Sequence, residues 1–334
     1  MNRTRGFLAL SLVMVALVWS QAEAQVRAGP EKLRVIYSAI GSSQSPLWIG
    51  YEAGIFRKHA LDVELLYVGG GSRAAQVMLA GEAPIAMFTG AAVISADLAG
   101  SDVLAIATGM NVIPFFLVVG PGIGRIEDLK GKKVAVTRFG SATDYALRYA
   151  TEKSSLRPDR DFAVLQLGGQ PELVAALRSG AVQGAMLNAE FTILARRQGL
   201  KELVDAGSLG VVFPTSAINT SRSYIRSRRD TVQRFVRAYV DGIHYAKTQK
   251  TFSVGILGKY LRNQDASFLE AVYDLYIGHY IPRIPYPSAE AMKTALDQLG
   301  EKDPRARAAR AEQFIDTSFV QELEKDGFIQ QLWR

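Results

Sequence analysis

Val134-Ala-Val-Thr-Arg-Phe-Gly-Ser-Ala-Thr-Asp-Tyr145 decides how this chain is read. Val134–Val136 has the composition of a buried strand, and Gly140 breaks it. Ser141, followed three residues later by Asp144, marks the start of a helix. A strand that turns straight into a helix leaves first-turn N–H groups and the positive end of the helix dipole above the turn, a ready place for an anion. Arg138 adds a guanidinium to the same mouth.

Working outward, the preceding chain has the same order. Leu33–Ile40, Val63–Val68, Pro84–Thr89 and Val103–Thr108 read as strands. Between them lie helices expected at Pro46–Lys58, with Ser45 as N-cap, at Ser72–Ala80 and at Ala91–Ala99. Pro114–Val119 interrupts this rhythm as an isolated strand, and Gly120-Pro-Gly-Ile-Gly124 is a loop that opens no helix, hence a weak dinucleotide signal. The pattern then repeats at an offset of 99 residues: Val35 falls on Val134, Gly41-Ser42 on Gly140-Ser141, Gly69-Gly70 on Gly168-Gly169 and Gly81 on Gly180. Glycines at matching turns point to a structural repeat. Alternating strands and helices imply an α/β protein with two similar lobes, each a mostly parallel sheet flanked by helices. The lobes are expected to join near Gly109–Pro114 and Pro214–Ser223. Residues 25–110 with 222–334 would form lobe I, and residues 111–221 lobe II. Val232, Phe235, Val236, Tyr239, Val240 and Ile243 form one apolar helical stripe in a helical C-terminal third.

Residues 1–24 read as a cleaved signal peptide: Arg3 and Arg5, an apolar run from Phe7 to Trp19, and Ala22-Glu-Ala24 before Gln25. With no cysteine there is neither a lipid-bearing Cys nor a disulfide framework, which suits a periplasmic protein. The net charge of +7 is scattered apart from a cluster at Arg222–Arg229, and that distribution does not suit nucleic-acid binding. It biases the protein weakly toward anionic ligands. A Cys nucleophile, a Gly-x-Ser-x-Gly elbow, a P-loop and a His-Glu-x-x-His motif are all missing, and His59, His244 and His279 have no metal-ligand spacing. The reading is a binding protein without cofactor or metal.

Binding residues are expected at the C-terminal ends of strands, where open α/β sheets hold ligands. In lobe I these turns are Gly41-Ser-Ser-Gln44, Gly70-Gly-Ser72 and Thr89-Gly90. In lobe II they are Arg138 with Gly140–Asp144, Gly169-Gln170 and Asn188-Ala-Glu190. Asn188 and Glu190 are included from their place in the repeat alone.

Several stretches resemble the solute-binding proteins of ABC importers of the nitrate/sulfonate/taurine and thiamine-pyrimidine-precursor type. They include Ser45-Pro-Leu-Trp-Ile-Gly-Tyr-Glu-Ala-Gly-Ile-Phe-Arg-Lys-His-Ala-Leu-Asp-Val-Glu64 and Asp128-Leu-Lys-Gly-Lys-Lys-Val-Ala-Val136, and the likeness runs from Leu33 to the C-terminus. The resemblance implies a type II periplasmic-binding fold and a monomeric receptor. Such a receptor closes like a hinge over a small organic anion, a sulfonate or carboxylate, and delivers it to a permease and its ATPase. It also implies ligand contacts from Ser42, Ser43 and Gln44, from Gly71 and Ser72, and from Arg138, Ser141, Ala142 and Thr143, with Arg138 the holder of the anionic end. The alternatives are an enzyme of thiamine-precursor metabolism on the same fold, whose relatives use a Cys-rich iron motif that this chain lacks, or a receptor that presents its solute to a sensor.

Overall fold

A computed structural model describes residues 29–152 and 156–334. The expected signal peptide and its cleavage point at Ala24 lie outside the described residues. The described residues form ten strands: β1 (Glu31–Tyr37), β2 (Leu61–Tyr67), β3 (Ile85–Phe88), β4 (Val103–Met110), β5 (Phe115–Val119), β6 (Lys133–Val136), β7 (Ala163–Gln166), β8 (Gly184–Asn188), β9 (Lys201–Asp205) and β10 (Ser216–Ser221). They make two five-stranded sheets, in the orders β2-β1-β3-β10-β4 and β7-β6-β8-β5-β9.

The sheets are copies of one another down to register. Val35 of β1 stands beside Leu65 on one side and Ile85 on the other, and 99 residues later Val134 of β6 stands beside Val164 and Gly184. The helices obey the same offset. Gly71–Leu79 corresponds to Gln170–Arg178, and Gly90–Leu98 to Ala189–Arg197. The offset read from glycines and apolar spacing is therefore an architectural repeat.

Each sheet is completed by one strand from a crossover between lobes, and here two expectations change. Phe115–Val119, expected as an isolated strand, is inserted antiparallel between β8 and β9. Ser216–Ser221, expected in lobe II, is inserted antiparallel between β3 and β4 in the first sheet. The chain thus returns to lobe I before residue 216 and not at 222. Nothing in the composition of Ser-Ala-Ile-Asn-Thr-Ser distinguishes a strand of one sheet from a strand of the other. The choice is made by the slot that the crossover leaves open. The two crossovers are tied together, since Phe213 N–H donates to the Asn111 carbonyl at 3.1 Å and the Thr215 hydroxyl donates to the Val112 carbonyl. A pair of extended segments bonded side by side is a two-strand hinge.

Two helices replace the one expected over Pro46–Lys58: α1 (Ser45–Glu52) and α2 (Ile55–Lys58), separated at Gly54 with φ of 69°. Ser45 does not cap α1, whose N-cap is Gln44. The apolar stripe from Val232 to Ile243 is wholly buried in the long helix Arg222–Thr248, where Phe235 stacks on Phe56 with ring centroids 5.2 Å apart. Its arginine-rich start is not simply solvated: Arg222 pairs with Asp97 at 2.8 Å, and Arg229 pairs with Glu322. Truncating Phe235 to Ala should cost about 3–5 kcal/mol of stability, the range for a fully buried aromatic ring. Chemical denaturation checks this, and a loss below about 1 kcal/mol would mean that the stripe does not carry the core of lobe I.

Candidate functional site

Parallel strands send every βα turn to the same edge of a sheet, and the crossovers set the two such edges face to face. Between them lies a cavity of about 50 Å³. It draws its wall from both lobes and from the hinge, through residues such as Gln44, Thr89, Thr143, Asn188, Pro114 and Thr215. Its walls carry no charged side chain among the described residues.

Six helix starts stand at this wall, one of them marked by Gln44, the N-cap of Ser45–Glu52. Gly71 begins Gly71–Leu79, Thr89 is the N-cap of Gly90–Leu98, Ala142 begins Ala142–Glu152, Gln170 begins Gln170–Arg178, and Asn188 is the N-cap of Ala189–Arg197. The first-turn N–H groups of an α-helix have no acceptor within the helix. Each start also carries roughly half a positive charge from the macrodipole. The field in the cavity is therefore positive with no cation in its wall.

On the lobe II side three hydroxyls form a closed triangle: Thr137 to Ser141 at 2.8 Å, Thr137 to Thr143 at 2.9 Å, and Ser141 to Thr143 at 3.0 Å. The local sequence requires it. The chain reverses at Gly140, Thr143 Oγ1 accepts the Thr137 N–H at 2.9 Å, and the Ser141 hydroxyl donates to the Arg138 carbonyl at 2.7 Å. Asp144 completes the turn by accepting the Gly140 N–H at 2.9 Å and pairing with Arg148 at 3.0 Å. Burial pushes its carboxyl above the usual range, and Arg148 opposes the shift. On the lobe I side, Gln44 lines the cavity while its Oε1 has no hydrogen-bond partner. Tyr67 also lines it, with its phenol pushed up to about 12, chiefly by burial and then by Glu172.

Of the residues singled out from sequence, Ser43, Gln44, Gly71, Thr89, Ser141, Ala142, Thr143 and Asn188 lie in the cavity wall. Besides Ser141 and Thr143, whose hydroxyls are engaged in the turn described above, the Thr89 hydroxyl donates to the Pro214 carbonyl at 2.9 Å, and Asn188 Oδ1 accepts the Phe191 N–H at 3.1 Å. The other four stand elsewhere. Ser42 is buried behind the wall, and the Ser72 hydroxyl bridges the mouth to the Phe139 carbonyl at 2.7 Å. Glu190 is buried at the contact between lobes and is not part of the wall.

Arg138 is the fourth, and it stands outside the cavity wall. Its guanidinium donates back to the Thr137 carbonyl at 3.0 Å, and its aliphatic stem lies across Gly70 of the opposite lobe. The side chain thus crosses to the opposite lobe at Gly70 and does not enter the cavity wall.

Sequence reasoning missed Thr137, Thr215 and Tyr276. Thr137 sits beside Arg138 at the end of β6 and was within reach of the strand-end rule. Thr215 and Tyr276 come from the hinge and from the helical C-terminal third, far away in sequence, with no local signal.

With the fold and cavity described, the class is clear: two α/β lobes that exchange one strand each at a two-strand hinge have the type II periplasmic-binding-protein fold. The chain belongs to the NMT1/THI5-like family, whose model matches residues 42–250, more than half of its length. No curated protein sequence matches significantly. Among solved structures, the chain is similar to the alkanesulfonate-binding protein SsuA from Xanthomonas axonopodis pv. citri bound to MOPS, with TM-score 0.72, 18% identity, and coverage of 87% of this chain and 99% of that one. The nitrate-binding protein NrtA from Synechocystis PCC 6803 gives TM-score 0.72 at 14% identity, covering 90% of each chain. The periplasmic aliphatic sulphonate binding protein SsuA from Escherichia coli gives TM-score 0.65 at 21% identity, covering 86% and 93%.

Gly70 has φ of 88°, and a Cβ there would meet Arg138 Cγ at 2.3 Å. Gly70→Val should hold the mouth apart, so small-angle scattering should report a larger radius of gyration for the variant. A superimposable profile would contradict the placement of Arg138.

Proposed function

We propose that this protein captures a small anion between its lobes, closes over it about the paired crossovers, and delivers it from the periplasm to an ABC permease. The observation that carries this reading is the convergence of six helix N-termini on one cavity with uncharged walls. Fixed N–H dipoles and hydroxyls can hold an anion without the desolvation that a buried cation would incur. A solute held this way is bound but not transformed, in keeping with a carrier. The similar structures include sulfonate-binding and nitrate-binding proteins.

The size of the cavity narrows the choice. About 50 Å³ of water-centre space corresponds to roughly three to five water molecules, so a compact sulfonate, carboxylate or oxyanion fits better than a long-chain one. The anionic group belongs against the first turns of Ala142–Glu152 and Gln170–Arg178, beside the hydroxyl triangle. Gln44 Oε1, an acceptor without a partner, favours a solute that carries a hydroxyl or amino donor at its other end.

A thermal-shift panel of nitrate, ethanesulfonate, taurine, short carboxylates, neutral sugars and amines tests the class of solute. A ligand at about 100 times its Kd stabilises the folded state by about 2.7 kcal/mol. Anions should raise the midpoint, and a response confined to neutral or cationic solutes would overturn the anion assignment.

With the best anion in hand, Thr143→Val should weaken binding roughly tenfold, the worth of one hydrogen bond to a charged group. Arg138→Ala should change it by less than about threefold. The opposite ranking would return the anion to Arg138.

A further inference from the structure

Glu190 opens the helix Ala189–Arg197 of lobe II, yet both of its side-chain bonds cross to lobe I. One carboxylate oxygen accepts the Ser42 backbone N–H, and the other accepts the Tyr276 hydroxyl at 2.9 Å. Ser42 begins the short turn Ser42–Gln44, and Tyr276 lies in the π-helical segment Asp274–Tyr280 of the C-terminal third. The contact is close. A Cβ at Gly41 would come within 2.5 Å of Asn188 Nδ2, which itself lies 3.5 Å from the Ile40 carbonyl. Glu190 is 1% exposed and takes no part in the cavity wall.

A carboxyl group this buried is costly unless its donors are in place. The donors belong to one lobe and the acid to the other, so they can be in place only when the lobes meet. Separation returns all three groups to water, where the loss is small. The bonds are therefore a property of the closed arrangement and not of either lobe alone.

We infer that Glu190 is a positioning residue for lobe closure, a latch that fixes the register between lobes through Ser42 and Tyr276 and so sets the shape of the cavity without touching the solute. This rests on the capture mechanism proposed above. It assigns closure to a contact that forms behind the cavity wall, with Tyr276 linking the C-terminal third to the hinge motion.

The latch depends on pH. Burial pushes the Glu190 carboxyl up, and the hydrogen bonds from Ser42, its own backbone and Tyr276 oppose this only in part. Tyr276, also raised by burial and by Glu190, stays a neutral donor. Tyr280 packs edge-on against Tyr276 at 5.7 Å, and burial and then Asp205 push the Tyr280 phenol up. Separating the lobes would expose Glu190 to water and remove the burial that raises its carboxyl. The closed form thus binds the proton more tightly. Closure is favoured fully below the ordinary carboxyl range, and the advantage is lost as pH rises through the closed-form value.

The chain has no cysteine, so Lys58→Cys on lobe I and Ser179→Cys on lobe II, both exposed, place one spin label on each lobe. Distance distributions are then measured without solute and with ethanesulfonate, across pH, for the labelled parent, Glu190→Ala and Glu190→Gln. Glu190→Ala should shift the population toward longer separations. Glu190→Gln, whose amide oxygen can still accept the Ser42 N–H, should restore the short separation and remove its pH dependence. Thermal unfolding of the same proteins separates this from a structural role, which would lower the midpoint and leave the separation unchanged. Glu190→Ala distributions matching the parent, or a Glu190→Gln profile that still follows pH, would overturn the latch. If ethanesulfonate still shortens the separation in that case, solute capture survives without it.

Discussion

The α-helices that connect the parallel strands reach the cavity by their N-termini, whereas the π-helical segment Asp274–Tyr280 reaches it through the Tyr276 side chain, and much of the structure serves the first constraint. It follows from strand direction. In β1, β3, β6 and β8 the chain runs toward the cleft, so each following helix must begin there, with N–H groups forward. Two sheets built this way and turned toward each other supply positive potential from backbone alone. A lysine or arginine in the same wall would have to be desolvated each time the lobes closed, at a cost of several kcal/mol per ion. The dipoles of a helix are held by its own hydrogen bonds and need no such compensation.

Closure then depends on contacts that neither lobe can make alone. Arg138 covers Gly70 at the mouth, the Ser72 hydroxyl meets the Phe139 carbonyl beside it, and Glu190 meets Ser42 and Tyr276 behind the wall. The cavity lies between the mouth contacts and the rear contact, with the bonded crossovers at 111–112 and 213–215 as its hinge. The charged residues of the cleft thus make contacts between the lobes, and the uncharged ones line the cavity.

Much of this was legible in the sequence because it is local. The offset of 99 residues could be read from glycines that mark turns and from apolar spacing that marks strands, and the structure reproduces it in register and in helix bounds. Ser43, Gln44, Ser141 and Thr143 were found because a position at a strand end is a position at the cavity. What was not legible is whatever depends on the second lobe. Ser216–Ser221 has no feature that says which sheet it will join. Arg138 reads as an anion ligand until Gly70, 68 positions earlier, takes the place beneath its stem. Tyr276 sits in an ordinary amphipathic helix pattern, and only the meeting of the lobes sets its hydroxyl against Glu190. A sequence lists side chains, whereas closure decides which of them are left facing the solute.

The central claim is that backbone helix starts, and not a guanidinium, hold the solute. A crystal structure of the protein with its most stabilising anion tests this directly. The account predicts the anionic group against the N–H groups of Ala142 and Thr143 and the hydroxyl triangle, with Arg138 still lying over Gly70. An anion bound by the Arg138 guanidinium, or seated outside the cleft, would contradict it.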